Sequence, residues 1–578
     1  MFALAITKDT QSVKFTGLQH AQFQHAGFTI TVGVRRPSSS LVQRGASFSL
    51  IDSPLSSLAE IPKLVAARLD YDSESGSLTL TKPLSSGKSV YFHLDSRRQF
   101  FASTHVACLK ACGLKLEVNQ ELLPEFFLYR YVVPPATLYR GIEEVPFGGR
   151  LRVCLRPDGC WVDDLEHWFP PEPDSPDSRE DPTEQILECL KARLRHLEPL
   201  QSQLATLLSG GLDSSLLFRI AQQLYGLSDS YSTGYPFEDE ASNRERAYAQ
   251  SAATAFGARH YYHQNTTSDY LRAVLRAIHA AEQPLHHLQS ALLELLFESG
   301  LPADKRIVVC GQGADGIFGL EFHNSLWRRE HRPAFLQALS FRPVIAGVRF
   351  ATRLTGKGRH RLASYLLPEM PDADYDDPDH ELWSLGRYGS KAWVLSHFGC
   401  PTENLTRTRR ALIDHLRHRC LYDVASILDL VGDVAVTQSI WSKLAESCHR
   451  FVDYPFNDGQ LLESAYRVDW GKKLGPPKRL IREALRLLHV PDHILNRPKL
   501  GFGVHRRGWA RPDGVLQPLV CLATKFFGPA EIKALQTGDP VDASTFWTLL
   551  NYAIWKRLCI DGESLDSLSA ELDRQLSP

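Results

Sequence analysis

The 578-residue sequence has almost no net charge, −1 at neutral pH, and without a global basic field nucleic acid is not an expected partner. It has no CxxC pair. Its eleven cysteines are scattered and lack metal-ligand spacing, Cys108 and Cys112 standing merely one helical turn apart, which points to a reducing compartment. Long uncharged apolar runs are missing too: residues 1–8 show no basic segment leading into an apolar one, and nowhere do about 18 uncharged apolar residues follow one another. The expectation is a cytoplasmic protein that does not span a membrane. No internal repeat occurs. What remains is an ordinary globular composition, 43% hydrophobic and 10% aromatic, in a chain long enough for two to four domains of about 100–200 residues.

Residues 1–168 consist of short apolar or alternating runs, such as 28–32, 78–80, 90–94 and 151–155, separated by turn clusters, and predict a β-rich domain. Residues 169–182 are proline-rich and acidic and predict an extended linker. From 183 to 578 the pattern is amphipathic helix, then α/β, then mostly helix. The charge runs between about 320 and 380, including Lys357, Arg359 and Arg361, read as solvated faces or insertions.

The chemistry concentrates in three glycine-bearing segments. Ser209-Gly210-Gly211-Leu212-Asp213-Ser214-Ser215 lies between an apolar strand-like run and a helix-like one. Glycines there let backbone amides approach an anion at a helix amino terminus, the serines add hydroxyl donors, and Asp213 can hold a divalent cation. No Gly-Lys-Ser/Thr follows, so this is not the Walker arrangement, and the ligand implied is the pyrophosphate part of ATP with Mg2+. A second strand-like run precedes Gly311-Gln312-Gly313-Ala314-Asp315-Gly316, which puts Gly311 at the phosphates, Gln312 at a substrate pocket and Asp315 beside Asp213 on one metal ion. The third is Arg497-Pro498-Lys499-Leu500-Gly501-Phe502, preceded by Lys478 and Arg482, four residues apart and expected on one helical face. Lys499 and Lys478 are the candidate catalytic cations, and Arg482 a candidate phosphate contact. His286-His287 and the lone His360 have no carboxylate or cysteine cluster near them in sequence and read as structural or exposed.

In order, these segments resemble the PP-loop enzymes that cleave ATP to AMP and pyrophosphate, and more closely the asparagine synthetase family, which includes β-lactam synthetases and lasso-peptide cyclases. Residues 131–142, Glu245-Arg246 and Pro455-Phe456-Asn457-Asp458 are similar to further landmarks of that family. The resemblance implies an amino-terminal α/β/β/α sandwich of the amino-terminal-nucleophile (Ntn) type followed by a parallel-sheet adenylating domain.

Three departures refine it. Phe2 stands where glutamine-hydrolysing members carry cysteine, so the first domain is expected to be structural. Gln312 and Gly316 replace two glutamates of the family pattern, and Phe451 and Asp453 occupy its later glutamate and arginine positions. The expected activity is an AMP-forming carboxylate–amine ligase whose amine sits on its own substrate, with macrolactam closure of a precursor peptide leading; a leader protease and a leader-binding protein would then be partners. The alternatives are asparagine formation from supplied ammonia, another lactam or amide synthetase, and a non-catalytic nucleotide-binding protein. A tRNA-thiolating enzyme would want a basic face and reactive cysteines, neither of which is evident.

Overall fold

The computed structural model describes residues 1–8, 13, 15, 18–25, 27–35, 39–52, 66–173, 181–235, 240–331, 382, 383, 385–497 and 506–576. Lys499 and His360 lie outside them.

Twelve strands build the amino-terminal region: β1 (Phe2–Thr7), β2 (Gln19–His25), β3 (Phe28–Val34), β4 (Ser39–Arg44), β5 (Ser47–Asp52), β6 (Ala67–Asp72), β7 (Ser77–Thr81), β8 (Tyr91–Leu94), β9 (Phe100–Ser103), β10 (Glu143–Glu144), β11 (Arg150–Arg156) and β12 (Gly159–Glu166). They form two antiparallel six-stranded sheets, ordered β10-β8-β9-β1-β3-β2 and β12-β11-β7-β6-β5-β4. Alternation decides the packing. Phe2, Leu4 and Ile6 of β1 join Phe28, Ile30 and Val32 of β3 and Leu50, Leu69 and Leu80 of the second sheet in one core between the sheets. Ala3 and Ala5 face the other way, into the larger core that contains Val106 and Leu109 of helix α1 (Val106–Ala111) and most of helix α2 (Leu123–Tyr129). The second sheet alternates buried and more accessible positions along β5, β6 and β7, the pattern of a sheet with one uncovered face. Among the described residues, helices therefore cover one side of the sandwich; the second helical layer of the expected α/β/β/α arrangement is not among them.

Beyond residue 181 the chain becomes α/β. Helix α3 (Pro182–Arg195) starts on an Asp181 cap that accepts a bond from the Thr183 amide, 2.8 Å, with Pro182 at the first helical position. Strands β13 (Leu204–Thr206), β16 (Ile307–Val309) and β17 (Phe451–Asp453) are parallel neighbours, as are β14 (Asp229–Thr233) and β15 (Arg259–His263). A parallel bridge from Leu207 to Tyr231 links the two groups, giving the order β15-β14-β13-β16-β17. Helices α4 (Leu212–Tyr225), α5 (Glu240–Ala255) and α6 (Thr267–Ala281) follow β13, β14 and β15, and the rest is mainly helical, including α7 (Ala435–Ser447), α8 (Gly459–Arg467), α9 (Arg479–Leu487) and α10 (Pro540–Trp555).

One continuous helical stretch, residues 421–447, is long and apolar enough by length and composition to cross a membrane, but 83% of its apolar window is buried inside the protein. It is a core helix, and Asp423, Asp429 and Asp433 interrupt it, which is why no uncharged apolar run marks it in the sequence. The sandwich docks on this helix through polar bonds. Lys88 pairs with Glu446 at 2.7 Å and Asp52 at 3.4 Å, and Ser89 and Ser439 share a hydrogen bond of 2.6 Å. Lys443 Nζ donates to Tyr91 Oη at 3.1 Å and pairs with Glu282 at 2.9 Å.

Candidate active site at the carboxyl ends of the parallel strands

Strands β13, β14 and β16 all point their carboxyl ends at one crevice, the position where open parallel sheets bind ligands. β13 stops at Thr206 because the next residues must turn: Gly210 has φ +68°, and a Cβ there would collide with the Tyr248 carbonyl. Gly211 then caps α4, whose first-turn amides face the loop. The serines hold the turn closed. Ser214 Oγ accepts from the Ser209 amide at 3.2 Å and lies 3.1 Å from Ser209 Oγ, and Ser209 Oγ accepts from the Gly211 amide at 3.3 Å. Ser215 is fully buried, and its Oγ has no hydrogen-bond partner.

The second glycine turn lies directly on the first. A Cβ on Gly311 would come within 3.3 Å of both Asp213 Cβ and the Ser214 amide nitrogen, a tight approach that a glycine relieves. Gly313 has φ +107° and opens the short helix Ala314–Phe318, which carries Asp315 in its first turn. Gln312 beside it is half-buried.

Lys478 brings these pieces together. Its Nζ forms ion pairs with Asp213 Oδ2 and, at 3.0 Å, with Asp315 Oδ1. Burial works against its charge, but the two carboxylates outweigh this and hold its pKa above the usual lysine value. The backbone contributes as well: Lys478 is not on a helical face with Arg482, as the spacing predicts, but sits at φ +55° as the amino-terminal cap of α9. Arg482 lies within α9 and donates to the Pro477 carbonyl at 2.8 Å and to the Leu495 carbonyl, bracing the turn around Lys478 rather than meeting the glycine loop.

Asp213 and Asp315, converging on one cation, are hard oxygen donors of the kind that could hold a divalent ion such as Mg2+. The orphaned Ser215 hydroxyl and the amides at the start of α4 suit an anion.

Three features are not visible in local spacing. Arg497 donates to the Ser209 carbonyl at 3.1 Å and stacks over Tyr248 at 4.6 Å, clamping the first turn from the start of the Lys499 segment. A cleft beside the turn is lined by Leu207, Tyr231, Gly234, Glu245, Arg246 and Tyr262 among others, an apolar character that suits the flat face of a purine base. Its one sequence signal is a third strand followed by glycine, β14 then Gly234. Finally, a Cβ on Gly316 would lie 2.5 Å from Asp429 Oδ2, so the carboxylate of Asp429 fills the space a side chain at 316 would take.

Phe451 and Asp453 are core residues. Phe451 is buried in the core at the amino-terminal end of β17, and Asp453 is fully buried in an ion pair with Arg193 of α3. Burial pushes the Asp453 carboxyl up to about 6, although Arg193 opposes the shift. The loop after α6 turns the rings of His286 and His287 onto Asp433, a carboxylate 146 residues away in sequence from His287.

The sequence pattern of asparagine synthase matches residues 184–521, the segment that carries both glycine turns, Lys478 and Arg497. A putative glutamine-hydrolysing asparagine synthetase of Mycobacterium tuberculosis (strain ATCC 25618 / H37Rv) is 23% identical over 527 residues, covering 81% of this chain and 73% of the relative. Glutamine-hydrolysing asparagine synthetase 1 of Bacillus subtilis (strain 168) is 22% identical over 451 residues, 74% of this chain and 65% of the relative. With its crevice built from that segment, the chain belongs to the asparagine synthase family and is an AMP-forming ligase of carbon–nitrogen bonds.

Proposed function

We propose that the protein adenylates a substrate carboxylate with ATP and captures the acyl-adenylate with an amine carried on the same substrate, closing a macrolactam or isopeptide ring in a peptide. The observation that carries the adenylation half is Lys478 held between Asp213 and Asp315, where the two glycine turns meet. The amides of residues 209–215 and the hydroxyls of Ser209, Ser214 and Ser215 bind the pyrophosphate part of ATP, with Gly311 closing the far side. Asp213 and Asp315 hold Mg2+, which supplies positive charge that neutralises the phosphates. Lys478, and Lys499 from outside the described residues, offer positive charge to the oxygens on which negative charge develops as the carboxylate attacks and the amine adds. The carboxylate attacks the α-phosphorus, pyrophosphate leaves, and the amine nitrogen then displaces AMP.

Two features favour an amine on the substrate over ammonia from glutamine. β1 opens with Phe2, an aromatic side chain without a nucleophile, in the core between the sheets. At the substrate end, Gln312 and Gly316 alter the second glycine turn, and Asp429 delivers a carboxylate there from another element. The first region, residues 1–168 before the linker at 169–182, then serves as a scaffold of Ntn descent. The second reading, asparagine formation from supplied ammonia, is favoured by the curated relatives, which are themselves asparagine synthetases. ATP–pyrophosphate exchange separates them. We expect exchange with peptides bearing an Asp or Glu side chain and a free α-amine, and none with free aspartate; aspartate-dependent exchange that yields asparagine with ammonium would sink the cyclase reading.

A further inference from the structure

We propose that His286, His287 and Asp433 form a binding site for a divalent transition-metal ion of the zinc class, separate from the Mg2+ carboxylates at the glycine turns. The two histidines are consecutive, and in a strand their side chains would point to opposite faces. Here they occupy the loop between α6 and the helix Ser290–Leu295, which turns both rings the same way, with centroids 3.9 Å apart. His286 Nε2 lies 3.5 Å from Asp433 Oδ2, His287 Nε2 lies 3.4 Å from Asp433 Oδ1, and the ligand atoms of all three residues fall within 4.8 Å of one another. Ligands about 2.0–2.2 Å from a tetrahedral zinc stand roughly 3.3–3.6 Å apart, so the observed spacings need little adjustment to accept the ion.

The surroundings point the same way. His286 is fully buried, yet its Nε2 makes no hydrogen bond, a cost that metal ligation would remove. Its other ring nitrogen, Nδ1, is 3.0 Å from Thr437 Oγ1, and Tyr388 Oη donates to Asp433 Oδ2 at 3.0 Å; such outer bonds orient metal ligands. His287 and Asp433 are 16% and 14% exposed, which leaves a side open for a further ligand. Asp433 sits on the π-helical segment Asp429–Val434, four residues after the Asp429 carboxylate packed on Gly316, so the ion would stand one turn from the second glycine turn. Two imidazoles and one carboxylate favour zinc or cobalt, whereas the all-oxygen pair Asp213 and Asp315 favours magnesium.

The test uses the full-length, untagged chain incubated with Zn2+ and freed of excess metal by gel filtration. We expect about one zinc per chain by mass spectrometry and an absorption edge showing two imidazole nitrogens at about 2.0 Å. His287→Ala and Asp433→Asn should weaken retention at least about 100-fold against a chromophoric chelator, and Tyr388→Phe about 10-fold, while Asp213→Asn leaves it unchanged. The absorption edge is read on the unaltered chain, so a variant that fails to fold does not block the answer. An all-oxygen shell, no retained zinc, or loss of zinc in Asp213→Asn but not in His287→Ala would overturn the site.

Discussion

The sandwich of β1–β12 and the crevice above β13, β14 and β16 use the same chain chemistry for opposite ends. In the sandwich, the space between the sheets is apolar, and the buried charges at its edge are paired, Lys82 with Glu144 and Lys88 with Asp52 and Glu446. In the crevice, Lys478 takes positive φ beside two glycine turns, and its ammonium meets Asp213 and Asp315 where the amides at the start of α4 and the unpaired Ser215 hydroxyl also converge. A left-handed lysine and concentrated charge cost stability, and such costs cluster where a ligand is handled. On the proposed reading, the crevice is the chemical centre and the sandwich its support.

Substitutions on each side should separate the two roles. The largest effect expected is in the crevice: Lys478→Ala should lower ATP–pyrophosphate exchange by about 100- to 1,000-fold while leaving the circular dichroism spectrum intact. Its counterpart in the sandwich, Phe28→Ala, should cost about 3–5 kcal/mol of stability in a denaturant melt and leave exchange per folded molecule unchanged. If that variant loses exchange while still folded, the division of labour fails.

Lys443→Ala tests the seam between the regions. It strips the partner from buried Glu282 and should destabilise the chain by about 3–5 kcal/mol, read as a lower melting temperature. Gly210→Ala forces a side chain into positive φ and against Tyr248; an increase in the KM for ATP of roughly 10-fold is expected, from strain of about 1–3 kcal/mol.

The smallest effect is on pH dependence. Burial alone would raise the Glu282 carboxyl, but Lys443, with His105 and the Ala107 amide, outweighs it and holds the pKa below the usual 4.5. A carboxyl lowered on folding contributes its stability in full above pH 4.5 and loses it as pH falls through the folded value. The melting temperature should therefore lose no Glu282 contribution between pH 8 and 5 and should drop below about pH 4, a drop that is smaller in Lys443→Ala.

Much of this was legible in local sequence. The strands at 28–32, 78–80 and 151–155 alternate with period two, and β13 and β16 are short apolar runs ended by glycine, so hydrophobic pattern and turn chemistry agree. Asp213 and Asp315 were legible because each follows its turn at a fixed offset. Lys478 stood out as a candidate cation, but its place as a cap was not legible, since helical spacing says nothing about a residue that leaves the helix to cap it in a left-handed conformation. Arg193 and Asp453 were not legible as partners: each looks ordinary in its own segment, and they meet only because α3 packs beneath β17.

The sequence alone determined where the two glycine turns begin, which strands alternate and that Phe2 stands at the start of the first strand, because these depend on neighbours within a few residues. Only the tertiary structure decided that Lys478 reaches Asp213 across 265 residues, that Asp429 fills the space over Gly316, and that Asp433 lies against His286 and His287. Contacts of that separation are selected by the packing of whole elements, and no local spacing encodes them.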